Sequence, residues 1–292
     1  MFAQIIVNIL ILGALYTLLA KSFEIIYHTI SLFLLTHALS ITVGVYVLYF
    51  LRTILVFPIW TSFALAFIAV IGISLILYYV LYKPLKEKEV QNWVLMIASL
   101  GVYVVFINGL SILFGNQILS LGVPEKGLSF FRDLFFLTNI QCVTFLGCIL
   151  LLLVTYFVSE CTAVGKRMKA LSSNPGASVA FGIDKDRTTA WCFIIGSALA
   201  FFAGVFICLD VSIKPTIGFD WLFPGVVAMI IGGMGKMRHL VFGALLLAAA
   251  QHLSAYFFDS KWMNATAYII LVVFLYFRPY GFSGKKLKKT EI

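Results

Sequence analysis

The chain has 292 residues, of which 62% are hydrophobic and only 11% charged, with a net charge of +9. A soluble domain carries about 25% charged residues, so this chain lacks the polar surface to cover itself in water, and lipid must be the solvent for much of it. Apolar runs of about 20 residues, enough to cross about 30 Å of hydrocarbon, recur from end to end; they are helix-length, not the alternating segments of about ten residues that build a β-barrel.

The start, Met1 to Leu10, has no basic stretch or small-residue cleavage site of a signal peptide, so none is expected. Apolar segments are predicted at roughly 5–20, 30–50, 57–81, 91–110, 131–158, 188–209, 221–233, 239–257 and 263–277. The first two read either as separate spans or as one longer helix followed by a re-entrant piece. Lys21 and Glu24 close the first run and can pair at i, i+3 on one helix face. A charge at mid-bilayer costs about 2.5–3.5 kcal/mol, which places them at the cytoplasmic edge, either as a snorkelling pair or as polar groups lining a path. The seventh segment is short and glycine-rich and need not cross fully.

With all nine segments crossing and the C-terminus inside, only Arg52, Lys126, Arg132, Lys214 and Lys261 lie outside, leaving 16 of the 21 basic residues inside. That asymmetry obeys the positive-inside rule and sets the N-terminus outside and the C-terminus in the cytoplasm. The positive charge is thus a topology signal, dispersed over several loops and not arranged for nucleic acid.

The loop 159–187 is longer and more polar than the others. Asn174-Pro175 is a turn starter or an N-cap with proline at the first helical position. Ala177, Val179, Ala180, Phe181 and Ile183 then give a short, weakly amphipathic helix, Gly182 suits its end, and Asp184 can cap the next span. This segment reads either as a plain surface helix or as a docking element, with Ala177 and Ala180 allowing close approach and Phe181 as the anchor. In the following span, Gly196, Ala200 and Gly204 repeat every four residues, a ridge for close helix packing. The stretch Asp210, Lys214, Pro215, Thr216, Gly218 and Asp220 is the mouth of a pathway or a solvated loop. Gly232-Gly233-Met234-Gly235-Lys236 is not a phosphate loop, because Ile230 and Met237 stand where glycine and Ser/Thr are required; it reads as a tight turn whose glycines permit unusual dihedrals. The five cysteines lie in or beside apolar runs and read as packing residues; the four histidines lack metal-ligand spacing, and no metal or cofactor is expected on this chain.

Several stretches taken in order resemble the permease subunits of branched-chain amino acid ABC importers. They are Gly13-Ala14-Leu15-Tyr16-Thr17-Leu18-Leu19-Ala20 with Ile26-Tyr27; Asn174-Pro175 through Asp184-Lys185-Asp186-Arg187; Pro215-Thr216-Ile217-Gly218-Phe219; Gly232-Gly233-Met234-Gly235 with Gly243; and Arg278-Pro279-Tyr280-Gly281-Phe282. The resemblance implies an all-α, polytopic bundle of about 8–9 helices forming one permease domain over 1–292, with a short cytoplasmic coupling helix. It implies ATPase docking on Asn174, Pro175, Ala177, Ala180, Phe181, Gly182, Ile183 and Asp184. It further implies a translocation path that includes Tyr16, His37, Pro215, Thr216 and Gly218, and packing at Gly196, Ala200, Gly204, Gly232, Gly233 and Gly235. The implied partners are ABC ATPase subunits, a second permease subunit (homologous or identical), an extracytoplasmic solute-binding protein and membrane lipid; the cargo is a small polar solute such as a branched-chain amino acid.

The sequence departs from that family at places that bear on the solute. Leu34-Leu35-Thr36-His37-Ala38 keeps only the histidine of an Asn-Phe-Ala-His-Gly stretch, Ser22 and His28 replace glycines, and Gln251 stands for an acidic residue. The competing readings are an ion-coupled secondary transporter, which would place acidic residues inside the spans, and a membrane-embedded enzyme, for which no H-E-x-x-H or G-x-S-x-G motif is present.

Overall fold

The computed structural model describes residues 2–30, 32–122, 127–130, 135–233, 235, 237–278 and 281–282. Among them, seven helices are long and apolar enough to cross a membrane, and two shorter apolar helices bring the total to the nine predicted segments. The first is α1 (Phe2–Ile30). After Gly13 it contains neither glycine nor proline, so nothing stops it at Lys21, and it runs to about 43 Å. Glu24 lies inside α1 with 1% of its surface exposed.

Helix α2 (His37–Tyr49) continues as a π-helical turn over Phe50–Ile54, giving a second stretch long enough to cross without a re-entrant piece. Helix α3 (Ile59–Ile76) continues through π-helical Leu77–Tyr82 into α4 (Lys83–Glu87), and α5 spans Asn92–Phe114. Segment 131–158 proves to start later. Strands β1 (Gly127–Phe130) and β2 (Phe135–Thr138) pair antiparallel, and α6 (Asn139–Cys161) begins only after them. Its start is fixed by a reciprocal box: the Thr138 hydroxyl accepts from Gln141 N–H at 3.2 Å, and the Gln141 side-chain oxygen accepts from Thr138 N–H at 3.3 Å.

The loop 159–187 contains two helices where one was expected, α7 (Ala163–Ser173) and α8 (Pro175–Ala180). Helix α9 (Lys185–Asp210) follows, then α10 (Ile217–Gly232), α11 (Met237–Phe257) and α12 (Trp262–Phe277). At 16 residues, α10 is about 24 Å long, short of the hydrocarbon thickness, and contains Pro224.

The chain divides into two compact units, each gathered from distant stretches. Unit 1 comprises Met1–Lys21, Lys126–Ile149 and Leu222–Ile292. In it, small residues bring helices together: a Cβ on Gly225 would lie 2.7 Å from that of Leu19, and one on Gly13 would lie 2.6 Å from the Leu245 side chain. Gly243 packs so closely on α10 that a Cβ there would lie 2.5 Å from the Ala228 carbonyl.

Unit 2 comprises Ser22–Glu125 and Leu150–Trp221. Its centre is α2, α3 and α9. The ridge read from the sequence faces inward: a Cβ on Gly196 would lie 2.7 Å from Ile26, one on Gly204 would lie 3.0 Å from Ile41, and Ala200 is fully buried. Lipid gives helices no hydrophobic reason to associate, so close packing and interhelical hydrogen bonds must hold them. A hydroxyl ladder supplies the bonds here. Ser40 donates to Ser197 at 3.2 Å, and Ser197 donates to Ser74 at 2.6 Å, joining α2, α9 and α3. Ser197→Ala is expected to cost about 0.6–1.7 kcal/mol, read as a lower Tm of the detergent-purified protein. An unchanged Tm would remove the ladder from the account of packing.

Of the cysteines, Cys148, Cys192 and Cys208 are buried as expected of packing residues, Cys142 is partly buried, and Cys161 is exposed at the end of α6, beyond the apolar run.

Candidate translocation path and coupling loop

The segment 174–187 is built by short-range signals. Asn174 caps α8, its side-chain oxygen accepting from Ala177 N–H at 3.1 Å, with Pro175 at the first turn. Gly182 takes a φ of +79°, which favours glycine and ends the helix. Asp184 accepts from Arg187 N–H at 3.0 Å and caps α9. Between these caps the Phe181 ring is 86% exposed, with Val179 also outward and Ala177 partly covered.

Behind α8, α7 is capped by Thr162, whose hydroxyl accepts from Gly165 N–H at 3.1 Å. Its Lys169 reaches Glu160 at 2.5 Å, and Leu171 is buried. Ser172 on α7 meets Nδ1 of His28 at 3.0 Å, and Nε2 of His28 lies 3.3 Å from Glu24. A hydroxyl–imidazole–carboxylate chain thus ties α1 to the loop helices. The sequence marked Glu24 and His28 singly, but nothing local announced Ser172 as their partner.

His37 opens α2 with 4% exposure. Its Nε2 lies 3.1 Å from the Ser22 hydroxyl, and its Nδ1 has no hydrogen-bond partner among the described residues. Ala38, the next residue, and Thr42, about one turn further along, receive the start of α10. The Gly218 N–H donates to the Thr42 hydroxyl at 3.1 Å, and a Cβ on Gly218 would lie 2.2 Å from the Ala38 carbonyl. The structure therefore brings His37 and Gly218 to neighbouring positions on α2. Pro215 is buried in the approach to α10, whereas Thr216 is exposed and donates to Asp220 at 3.1 Å. Asp220 also pairs with Lys214 at 2.7 Å, and Ile213 forms a two-bond bridge with Leu119, so the stretch 210–220 is a structured turn.

Tyr16 belongs to unit 1, buried beside the Gln251 amide. Gln251, 1% exposed, donates from Nε2 to the Met263 carbonyl at 3.0 Å, joining α11 to α12. The glycine turn after α10 has φ of +78° at Gly233 and +116° at Gly235, as expected of a tight reversal. Met234, Lys236, Pro279 and Tyr280, the loop residues Lys126 and Arg132, and the basic tail Lys285, Lys286, Lys288 and Lys289 lie outside the described residues.

A predominantly helical chain with several membrane-length spans, close glycine packing, buried polar groups and a helical loop between spans is a multi-pass membrane protein. The family model described as the branched-chain amino acid transport system permease component matches residues 5–277. The chain belongs to that family. It is 24% identical to the high-affinity branched-chain amino acid transport system permease protein LivH of Salmonella typhimurium, over 97% of this chain and 96% of the relative. It is 24% identical to the corresponding BraD of Pseudomonas aeruginosa over the same shares, and 27% identical to a probable LivH of Methanocaldococcus jannaschii, over 99% of this chain and 94% of the relative. The fold is also similar to that of a chain in the solved structure of PsaBC from Streptococcus pneumoniae in complex with Fab, with a TM-score of 0.51, 14% identity, and coverage of 94% of this chain and 91% of that one. The protein is therefore a multi-pass membrane permease, a transport component. Membership does not favour the ion-coupled secondary transporter.

Proposed function

We propose that this chain provides half of the translocation path of an ABC importer for a small polar solute, of the branched-chain amino acid class. The observation that carries the reading is α8: a capped helix in a basic loop between spans, with Phe181 held outward. ATP is hydrolysed on separate subunits that dock on Asn174 to Asp184, and this chain works without a cofactor of its own. The charge asymmetry favours the α8 side and the C-terminus in the cytoplasm and the N-terminus outside, where a solute-binding protein would deliver cargo. A second permease, identical or homologous, completes the path. The interleaving of both units along the sequence supports treating 1–292 as one permease domain, since no single cut separates them.

Within unit 2 the solute passes His37, Pro215, Thr216 and Gly218. His37 is the best suited to contact it, because Nδ1 is a polar atom that lacks a described protein partner. Closure of the ATPases would push α8, and the Ser172–His28–Glu24 chain would pass that displacement into α1.

The test is a pull-down from solubilised membranes in which the native partners are expressed. The wild type is expected to bring down a P-loop ATPase, and the Ala177→Asp, Phe181→Asp double variant to lose it while remaining folded. Co-purification that ignores the double substitution would overturn the docking site, and absence of an ATPase with the wild type would overturn the importer reading.

A further inference from the structure

Where the third span ends and α9 begins, a cavity of about 110 Å³ opens among residues of unit 2. Ile30, Leu32 and Leu95 give it an apolar wall, and Lys83, Lys86 and Lys185 share its rim with Glu87 and Asp186. Part of that charge is already matched. Asp186 meets Lys83 at 2.6 Å and accepts from the Tyr78 hydroxyl at 3.3 Å, and Lys83 reaches Glu87 at 3.8 Å. Lys86 and Lys185 both line the cavity and have no carboxylate at salt-bridge distance among the described residues. Three ammonium groups against two carboxylates leave one positive charge in excess.

We propose that this cavity binds the phosphodiester headgroup of an anionic phospholipid, held by Lys86 and Lys185, with the glycerol and first acyl carbons against Ile30, Leu32 and Leu95. A phosphodiester carries one negative charge and balances the surplus; a free phosphate dianion or a nucleotide exceeds it. The surroundings favour lipid as the source. Ile76, Tyr79 and Val80 present large exposed apolar surfaces on the same span, and the Trp93 indole at the start of α5 bonds Gln91 as an interfacial anchor does. Acyl chains leaving the cavity therefore meet surface that the bilayer already covers. Basic pockets between spans on the cytoplasmic side are a recurrent headgroup site. The inference is separate from the importer reading, since it needs neither an ATPase nor a transported solute.

The test is native mass spectrometry and thermal melting of the full-length chain in mild detergent. The wild type is expected to retain phosphatidylglycerol over phosphatidylcholine and to melt higher with it. Lys86→Gln with Lys185→Gln should weaken that retention about tenfold or more, whereas Lys169→Gln, which removes a distant loop charge, should not. Equal retention of the two lipids, or a double variant that binds phosphatidylglycerol like the wild type, overturns the proposal. Stabilisation by inorganic phosphate alone, lost in the double variant, would assign the site to a free anion and overturn the lipid. A double variant that keeps its lipid but no longer co-purifies with the ATPase would assign the lysines to docking and likewise overturn the lipid.

Discussion

Gly218→Val is expected to leave little folded protein in the membrane, and even Gly218→Ala should lower the Tm measurably. Any Cβ at this position would lie 2.2 Å from the Ala38 carbonyl and 2.3 Å from the Thr42 hydroxyl. The hydroxyl can rotate, but the carbonyl belongs to the backbone of α2 and can yield only if the start of α10 moves away. That movement also breaks the Gly218 N–H to Thr42 bond. Overpacking a well-filled core costs about 1–3 kcal/mol, and a clash against backbone belongs at the top of that range, a large share of the roughly 5–15 kcal/mol that hold a typical domain. Thr42→Val removes the same hydrogen bond without adding a clash and should cost less. Quantity in the membrane fraction and melting of the purified protein check both. Gly218→Ala with wild-type quantity and melting would mean that α10 does not rest on α2 as described.

Glu24→Leu is expected to lower solute uptake about tenfold or more and to lower the Tm as well. Removing one partner of a buried, hydrogen-bonded pair costs up to about 3–5 kcal/mol, because the group it met is left without its bond. The same change cuts the link from α1 through His28 to Ser172 on α7, immediately before α8. Glu24→Gln keeps an oxygen for His28 and should fall between Leu and wild type. Uptake into vesicles containing the assembled transporter, set against Tm, separates the two effects. If Glu24→Leu transports like the wild type, the carboxylate has no part in coupling. If it fails to fold, its role is structural.

These two residues show which features can be read from the sequence and which cannot. The segment 174–184 is legible because each of its signals is local: Asn174 and Pro175 start α8, Gly182 stops it, and Asp184 starts α9, all within a few residues. The apolar segments are legible because crossing hydrocarbon demands a minimum length. The first helix is cut short when its apolar run is ended at a charge, whereas only a backbone breaker or a missing partner ends a helix in a packed bundle. Whether a charge is buried depends on neighbours far along the chain, here Ser172 by way of His28. The close approach at Gly218, the hydroxyl ladder of Ser40, Ser197 and Ser74, and the rim formed by Lys86 and Lys185 have the same origin, since in each the partners are brought together only by the fold. The π-helical turns at Phe50–Ile54 and Leu77–Tyr82 carry no local marker, and the β1–β2 hairpin hides within an apolar stretch that resembles the start of a span.

The division of unit 1 along the chain bears on how the protein is made. Gly13 and Leu19 pack against residues of α11 and α10, some 200 positions later. At about 5–20 residues per second, the ribosome needs roughly 10–40 s to supply those partners. During that interval the first helix waits in the bilayer with its small-residue face bare, open to lipid, to the insertion machinery or to a wrong neighbour. A nascent chain released before Leu222 would carry that face permanently uncovered, a mark by which quality-control proteases can tell an aborted permease from a finished one.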